Sequence, residues 1–155
     1  MSIKIALAGN PNSGKTTLFN IIAGISTPDT GNVYLGDEDI TGKSGLVSYM
    51  LQKDMLLPYK TVLDNVSLPL VIKGMKKKEA REKARPYFEQ FGLLGYEDKY
   101  PKALSGGMKQ RAAFLRTYLF SGKVAILDEP FSALDMLTNV ELHGWYKSIM
   151  REINL

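Results

Sequence analysis

Cysteine is absent from the sequence, and histidine occurs once in 155 residues. The absence of cysteine excludes a disulfide framework and a thiolate metal site, and it suits a reducing cytoplasm. Long hydrophobic runs are missing too, because none approaches the roughly eighteen residues that a membrane span needs. The N-terminus leads into a short apolar run without the pattern of a secretory signal. We therefore expect a cytoplasmic protein, with any membrane role peripheral.

An excess of acidic residues is also missing. The chain has 20 lysines and arginines against 16 aspartates and glutamates, and its formal net charge is +4. The basic excess is concentrated at residues 73–85, where Lys76, Lys77 and Lys78 are followed by a mixture of both signs. Such a mixture is typical of a solvated helix face, and no aromatic residue is interleaved with it as in a nucleic-acid site. We expect no nucleic-acid partner.

The length and the hydrophobic content of 45% fit one small domain with a single core. Three short apolar runs, at residues 3–8, 47–50 and 124–127, predict buried strands, and residues 61–121 carry mostly helical signals. Strands that alternate with helical segments predict an α/β fold with a mostly parallel sheet. The long helical insertion would then form a subdomain at the side of that sheet.

Local signals set the ends of several elements. Apolar and small residues recur at helical spacing between residues 80 and 91, but Pro86 predicts a break or a late start there. Ser105 predicts the N-cap of a helix that runs through Phe120. The remaining elements are a short strand at residues 33–35, a turn at residues 36–39 and a last helix at residues 134–149.

A phosphate-binding pattern, G-x-x-x-x-G-K-[ST], directly follows the first predicted strand. A helix predicted from Lys15 to Ala23 would point backbone N–H groups and a helix N-terminus at phosphate oxygens. Lys15 would reach the β- and γ-phosphates, and the Thr16 hydroxyl would bind Mg²⁺. A chance glycine-rich turn does not explain the flanking strand and helix. The predicted nucleotide-binding residues are Gly9, Asn10, Pro11, Asn12, Ser13, Gly14, Lys15, Thr16 and Thr17.

An acidic pair, Asp128 and Glu129, ends the third predicted strand. Beside a phosphate loop, one carboxylate can hold Mg²⁺ while the other positions water. We assign the metal to Asp128, and we assign the role of general base or water-orienting residue to Glu129. In a chain without the phosphate loop, the same pair would equally well cap the strand and meet solvent.

A third motif, Ser105, Gly106 and Gly107, stands at the start of a predicted helix. Unhindered N–H groups and a hydroxyl at such a place suit an anion. A helix C-cap or a tight turn explains two glycines equally well. Taken alone, these residues therefore do not define a site.

Together the motifs resemble the nucleotide-binding subunit of ATP-binding-cassette (ABC) transporters, from about Asn20 to the end of the chain. In that family, residues 104–108 match the signature motif, Gln52 the Q-loop glutamine, residues 127–129 the end of the Walker B strand and residues 132–135 the D-loop. The strings Y-M-L-Q-K-D-M-L-L-P and D-E-P-F-S-A-L-D are similar to those of importers for nitrate, sulfonate, taurine and related small organic ligands.

The resemblance implies a P-loop NTPase three-layer sandwich. Its RecA-like core would comprise residues 1–60 and 122–155, and its helical subdomain, residues 61–121, would carry the signature motif. The resemblance also implies a head-to-tail homodimer that sandwiches ATP. The residues that would contact the ATP held by the other subunit are Ser105, Gly106, Gly107 and Asp135.

The same resemblance implies hydrolysis of ATP with Mg²⁺ as cofactor. Gln52 would be a metal-binding and catalytic residue, together with the catalytic Lys15 and Glu129. A separate membrane permease subunit would recruit the domain to the inner face of the cell membrane. The coupling helix of that subunit would face Leu56, Leu57, Pro58 and Tyr59, although core packing is an equal alternative for Leu56 and Leu57.

The sequence departs from the family pattern at both ends. The family has an adenine-stacking aromatic residue before the phosphate loop, which begins here at Gly9. It also has a strand and a histidine after the last helix, where this chain stops at Leu155. We therefore expect a domain that is truncated at both ends. Because one lost charge-stabilising contact can reduce a rate by about a hundredfold or more, hydrolysis would be slow.

The phosphate loop itself leaves two alternatives open. Residues 9–20, with Asn12 where the family usually has glycine, resemble the G domain of bacterial ferrous-iron transporters. One alternative is a GTP-binding switch of that type, although the sequence lacks the Asn-Lys-x-Asp string that selects guanine in G domains. The other is an engineered P-loop chimera that folds or binds nucleotide without a transport function.

Overall fold

A computed structural model of the chain describes residues 14–120 and 124–128. Two predicted elements, the strand at residues 3–8 and the helix at residues 134–149, lie outside these ranges. The helices within them are α1 (Lys15–Ile22), α2 (Val62–Ile72), α3 (Lys77–Ala84), α4 (Tyr87–Gln90) and α5 (Gly106–Phe120). The strands are β1 (Tyr34–Leu35), β2 (Glu38–Asp39), β3 (Ser48–Met50) and β4 (Ala125–Leu127).

Strands β3 and β4 pair in parallel, as the sequence predicted for these two runs. Ser48, Tyr49 and Met50 stand opposite Ala125, Ile126 and Leu127. The ladder continues at both ends, because the Ser48 amide donates to the Val124 carbonyl at 3.0 Å and the Asp128 amide to the Met50 carbonyl at 2.9 Å. The carboxyl ends of the two strands therefore lie at the same edge.

Strands β1 and β2 form a separate antiparallel hairpin. The prediction of a turn at residues 36–39 is wrong for its second half, since Glu38 and Asp39 pair with Leu35 and Tyr34. The reversal needs only Gly36 and Asp37, because Gly36 has a φ of 63° that a side chain would disfavour. The first two residues of the predicted turn thus suffice.

Two apolar clusters flank strand β3. The smaller cluster lies between α1 and the strands and contains the buried residues Phe19, Ile40, Val47, Val124 and Ile126. The larger one joins Met50 to the helices that follow it, and its members include Leu63, Phe88, Phe91, Leu93, Phe114 and Leu115. The alternation of a strand explains the division, because Tyr49 packs against the first cluster and Met50 belongs to the second.

The helical segment has the apolar face and the ends that its sequence predicts. Ala80, Ala84, Phe88 and Phe91 are buried, and Pro86 separates α3 from α4. Ser105 caps α5, because its Oγ accepts a hydrogen bond from the Met108 amide at 3.3 Å. Thr61 caps α2 in the same way, through the Asp64 amide at 3.2 Å. The division into a RecA-like core and a helical subdomain remains a prediction.

Glycines stand at both ends of α1. Gly14 precedes the helix with a φ of 73°, and Gly24 follows it with a φ of 71°. A side chain at Gly24 would also collide with the main chain at the Lys43 carbonyl. These two positions therefore fix where the helix begins and how closely its end approaches the turn at residues 43–44.

Helices of the described ranges are too short or too polar to cross a membrane. The longest is α5, with 15 residues.

The position of Phe88 in the larger cluster gives a stability test. Its side chain is fully buried, so Phe88→Ala should lower the free energy of unfolding by about 3–5 kcal/mol through lost burial and a residual cavity. Urea denaturation measures the change. The control, Ile72→Ala, truncates a residue that is 72% exposed and should change stability by no more than about 0.5 kcal/mol. Equal losses in both variants would contradict the core assignment.

Candidate nucleotide-binding site

Helix α1 supplies the predicted phosphate-binding end. Gly14 adopts the left-handed conformation before it, and the Gly14 carbonyl accepts the first helical bond from the Leu18 amide at 3.1 Å. Thr16 and Thr17 are exposed in the first turn, and Lys15 is half-buried. No acidic residue lies in that turn, so its N–H groups keep the positive potential that an anion needs.

Asp128 lies directly after β4, at the edge where both parallel strands end. Its amide continues the ladder to Met50, which fixes the position of its main chain. Its half-buried carboxylate accepts a hydrogen bond at Oδ2 from the Tyr49 hydroxyl at 3.2 Å. The predicted metal-binding carboxylate is thus held by a neighbour on the adjacent strand.

Tyr49 is a site residue that sequence reasoning missed. Burial raises the pKa of its hydroxyl to about 12, and the charge of Asp128 and the hydrogen bond to it add to the effect. The hydroxyl therefore stays a donor even in moderately alkaline solution, above its ordinary pKa of 10.0. Its ring packs edge-on against Phe19 of α1, with centroids 6.0 Å apart. Tyr49 connects the phosphate-binding helix to the acidic end of β4, and the only signal for it is its place in an apolar strand.

Gln52 lies two residues beyond β3, at the same edge as Asp128. It is exposed, and its main-chain carbonyl accepts a hydrogen bond from the Gln110 Nε2 on α5 at 3.1 Å. Gln52 and Asp128 each follow a strand, as the sequence predicts, and the structure shows that these two strands are paired.

The loop after Gln52 is anchored to α2 by Asn65, which is fully buried. Its Oδ1 accepts a hydrogen bond from the Leu57 amide at 2.6 Å, and its Nδ2 donates to the carbonyls of Leu57, Lys60 and Thr61. Leu56 is 9% exposed and belongs to the larger apolar cluster. Of the two alternatives left open for Leu56, the structure favours core packing, because its side chain lies within this cluster.

The signature residues stand on a different element from the strand edge. Ser105 directly precedes α5 and is exposed. Gly106 and Gly107 lie in the first turn of the helix, where Gly106 is exposed and Gly107 is buried. The Ser105 hydroxyl is engaged with the Met108 amide of its own helix. These residues are placed one turn before Gln110, rather than beside Asp128. Gly9, Asn10, Pro11, Asn12, Ser13, Glu129 and Asp135 lie outside the described residues.

The oxygen atoms that the described site residues offer as metal ligands fit Mg²⁺. Asp128 offers a carboxylate, Thr16 a hydroxyl and Gln52 an amide oxygen, which are the hard oxygen ligands that this ion prefers. Mg²⁺ in nucleotide sites is held by one or two carboxylates together with the phosphates of the substrate. A single carboxylate held in place by Tyr49 is compatible with that chemistry.

Comparison with known proteins shows which family the chain is similar to. The sequence profile of the family described as ABC transporter matches residues 2–132. Formylaminopyrimidine import ATP-binding protein ThiZ of Halalkalibacterium halodurans is 48% identical over 145 residues, which cover 94% of this chain and 56% of that protein. The nitrate import ATP-binding protein NrtD of Synechocystis is 36% identical over 149 residues, covering 96% and 56%.

A solved structure shows the same fold. The ATP-binding cassette MJ0796, described as a dimeric post-hydrolysis state bound to ADP and Pi, superposes with a TM-score of 0.77 at 28% identity. The match covers 97% of this chain and 70% of that one. The chain spans about half the length of the curated relatives that it matches.

The fold and the site define a P-loop nucleotide-binding domain of the α/β class. The chain belongs to the ABC transporter family and is an ATP-binding domain of that family. The family profile includes residues 9–20, so the comparisons give no support to a separate G-domain origin of that segment.

The contact between Tyr49 and Asp128 predicts a pH dependence of stability. A folded-state pKa near 12, above the ordinary 10.0, contributes stability that is complete below pH 10 and is lost as the pH rises toward 12. In Tyr49→Phe this alkaline loss should be smaller. Urea unfolding at a series of pH values measures it, with Tyr59→Phe, which removes an exposed hydroxyl, as the control. Identical alkaline profiles for wild type and Tyr49→Phe would show that the phenol is not held in this way.

Proposed function

We propose that this domain binds and hydrolyses ATP with Mg²⁺ and thereby powers the import of a small solute through a separate membrane subunit. The main support is the edge of the sheet at which the parallel strands β3 and β4 end. Asp128 and Gln52 follow paired strands, and Tyr49 connects that edge to α1, the helix that begins at Lys15. The strand pairing, the Tyr49–Asp128 hydrogen bond and the Tyr49–Phe19 ring contact link three predicted parts of a phosphate-transfer site, which supports the proposal.

Each residue has a role that follows from its chemistry. Lys15 binds the β- and γ-phosphates as a cation at the start of α1, where the N–H groups add to its charge. Thr16, Gln52 and Asp128 hold the metal, which neutralises the charge that develops on the phosphates when it is bound. Glu129, the residue after Asp128, positions or deprotonates the attacking water.

Dimerisation and the membrane partner rest on the relatives. The solved relative is dimeric and bound to ADP and Pi, which supports a head-to-tail pair in which Ser105, Gly106, Gly107 and Asp135 of one copy contact the ATP of the other. The relatives named above are import ATP-binding proteins, which supports a permease partner and a location at the inner face of the cell membrane.

The solute belongs to the small polar class that these relatives share. One relative is named for formylaminopyrimidine import and another for nitrate import. A third, the sulfate/thiosulfate import ATP-binding protein CysA of Halalkalibacterium halodurans, is 39% identical over 158 residues, covering 97% of this chain and 44% of that protein. Because these names differ in solute while the domain is shared, we assign the choice of solute to the partner subunits.

Nucleotide binding tests the site first. Fluorescent ATP and GTP analogues, titrated with Mg²⁺ and competed by the unlabelled nucleotides, should show ATP binding at least as tight as GTP binding. Lys15→Ala should abolish it, because the variant removes the cation from the phosphate-binding end. Lys109→Ala removes a half-buried lysine near the start of α5 and should leave it intact. A clear preference for GTP would instead support a G-type switch.

Turnover tests the assignment of Glu129. Glu129→Gln keeps the shape of the side chain but removes its negative charge, so nucleotide binding should persist while release of phosphate falls by about a hundredfold or more. A phosphate-release assay on the same preparation measures both effects against wild type. Unchanged turnover in this variant would remove Glu129 from its assigned role.

A further inference from the structure

The loop after Gln52 has a strained conformation. Met55 has a φ of 48°, in the left-handed region that residues with a side chain disfavour. Such a conformation persists only where the surroundings over-determine it, and it then points to a function for the segment. The groups that hold Met55 in place are therefore informative.

Arg116 of α5 is the main such group. Its Nη1 donates to the Met55 carbonyl at 2.8 Å, and its Nη2 donates to the Asp54 carbonyl at 2.6 Å. The planar fork of a guanidinium matches two successive carbonyls, which the single ammonium of a lysine cannot reproduce. One side chain thus fixes both peptide units around the strained residue.

Burial at this place has an electrostatic cost. It lowers the pKa of Arg116 from its ordinary value, and only the nearby charge of Asp54 partly opposes the shift. An apolar side chain could pack at this position on α5 without that cost. The hydrogen bonds to the two loop carbonyls are therefore the feature that requires a guanidinium here.

Gln110, six residues earlier on α5, makes a second connection. Its Nε2 donates to the Gln52 carbonyl at 3.1 Å, and the side chain is only 5% exposed. Its Oε1 has no hydrogen-bond partner among the described residues, a cost that an apolar residue would avoid. The bond to Gln52 is therefore the feature that requires glutamine at this position.

We infer that Arg116 and Gln110 are positioning residues that hold the loop of residues 52–57 from α5 and so present Gln52 at the sheet edge. Both act through the main chain of the loop, and their role in turnover rests on the proposed function. Asn65 of α2 holds Leu57, so the loop is held from two helices.

Amide hydrogen exchange in the nucleotide-free full chain tests this inference without any activity. Arg116→Met should accelerate exchange of the Leu56 and Leu57 amides by about tenfold or more, because two charge-assisted bonds are lost. Arg116→Lys keeps the charge without the fork and should lie between wild type and Arg116→Met. Gln110→Leu should accelerate exchange at residues 52–53. Arg85→Met, at an exposed arginine at the end of α3, is the matched control and should change neither segment.

Protection of the α5 amides serves as the internal reference. Faster exchange confined to residues 52–57, while α5 keeps its protection, supports the inference. Unchanged loop exchange in both Arg116→Met and Gln110→Leu overturns it. If Arg116→Met loses amide protection in α5 as well as in the loop, Arg116→Lys and Gln110→Leu are used instead. Faster exchange confined to residues 52–57 in those two variants supports the inference, and unchanged loop exchange overturns it.

Nucleotide assays then separate this inference from the proposed function. If Gln52 acts in turnover, Arg116→Met should keep Mg²⁺–ATP binding within about threefold and lower kcat by about tenfold, with partial rescue in Arg116→Lys. A wild-type chain that neither binds nor hydrolyses ATP refutes the proposed function, and loop exchange still decides the role of Arg116. Normal turnover in Arg116→Met overturns the role in positioning Gln52.

Discussion

The parallel ladder between β3 and β4 is the constraint on which the rest of the structure depends. Only three residues of each strand pair, yet they set which side chains face each cluster and which residues emerge at the carboxyl edge. The face of Tyr49 receives α1, and the face of Met50 receives the helical segment. A slip of one residue would exchange these faces and would separate Tyr49 from Asp128.

Polar groups at low exposure do most of the positioning around that edge. Asp128 is held by the half-buried phenol of Tyr49, and Leu57 is held by the carboxamide of a fully buried Asn65. Within the part of the chain that the structure describes, the side chains of Gln110 and Arg116 donate to main-chain carbonyls of the loop. Such bonds tolerate a change in the loop side chains, because the acceptors belong to the backbone. The positions of Asp128 and of the loop main chain are therefore set mainly by the surrounding side chains.

The sequence predicted the elements whose signals are local. The cap at Ser105 and the interruption at Pro86 depend on residues within one turn of the helix end, so a pattern can show them. The sequence pattern predicts a turn where Glu38 and Asp39 form a strand, because a strand of two residues is too short to show an alternation of apolar and polar side chains. The contacts of Tyr49 and Arg116 were missed for a different reason. Each joins positions about sixty or more apart in sequence, and no spacing rule relates such positions.

The long separation of the paired strands has a consequence for the order of folding. Tyr49 and Asp128 are 79 residues apart in sequence, whereas α2 and α3 are close neighbours along the chain that pack on each other. Closing a long loop costs conformational entropy before any contact offsets it. We therefore expect the helical segment to collapse first and to bring the strands within reach. The acidic edge would then be the last part to assemble, and a chain emerging from the ribosome would acquire it only after β4 is synthesised.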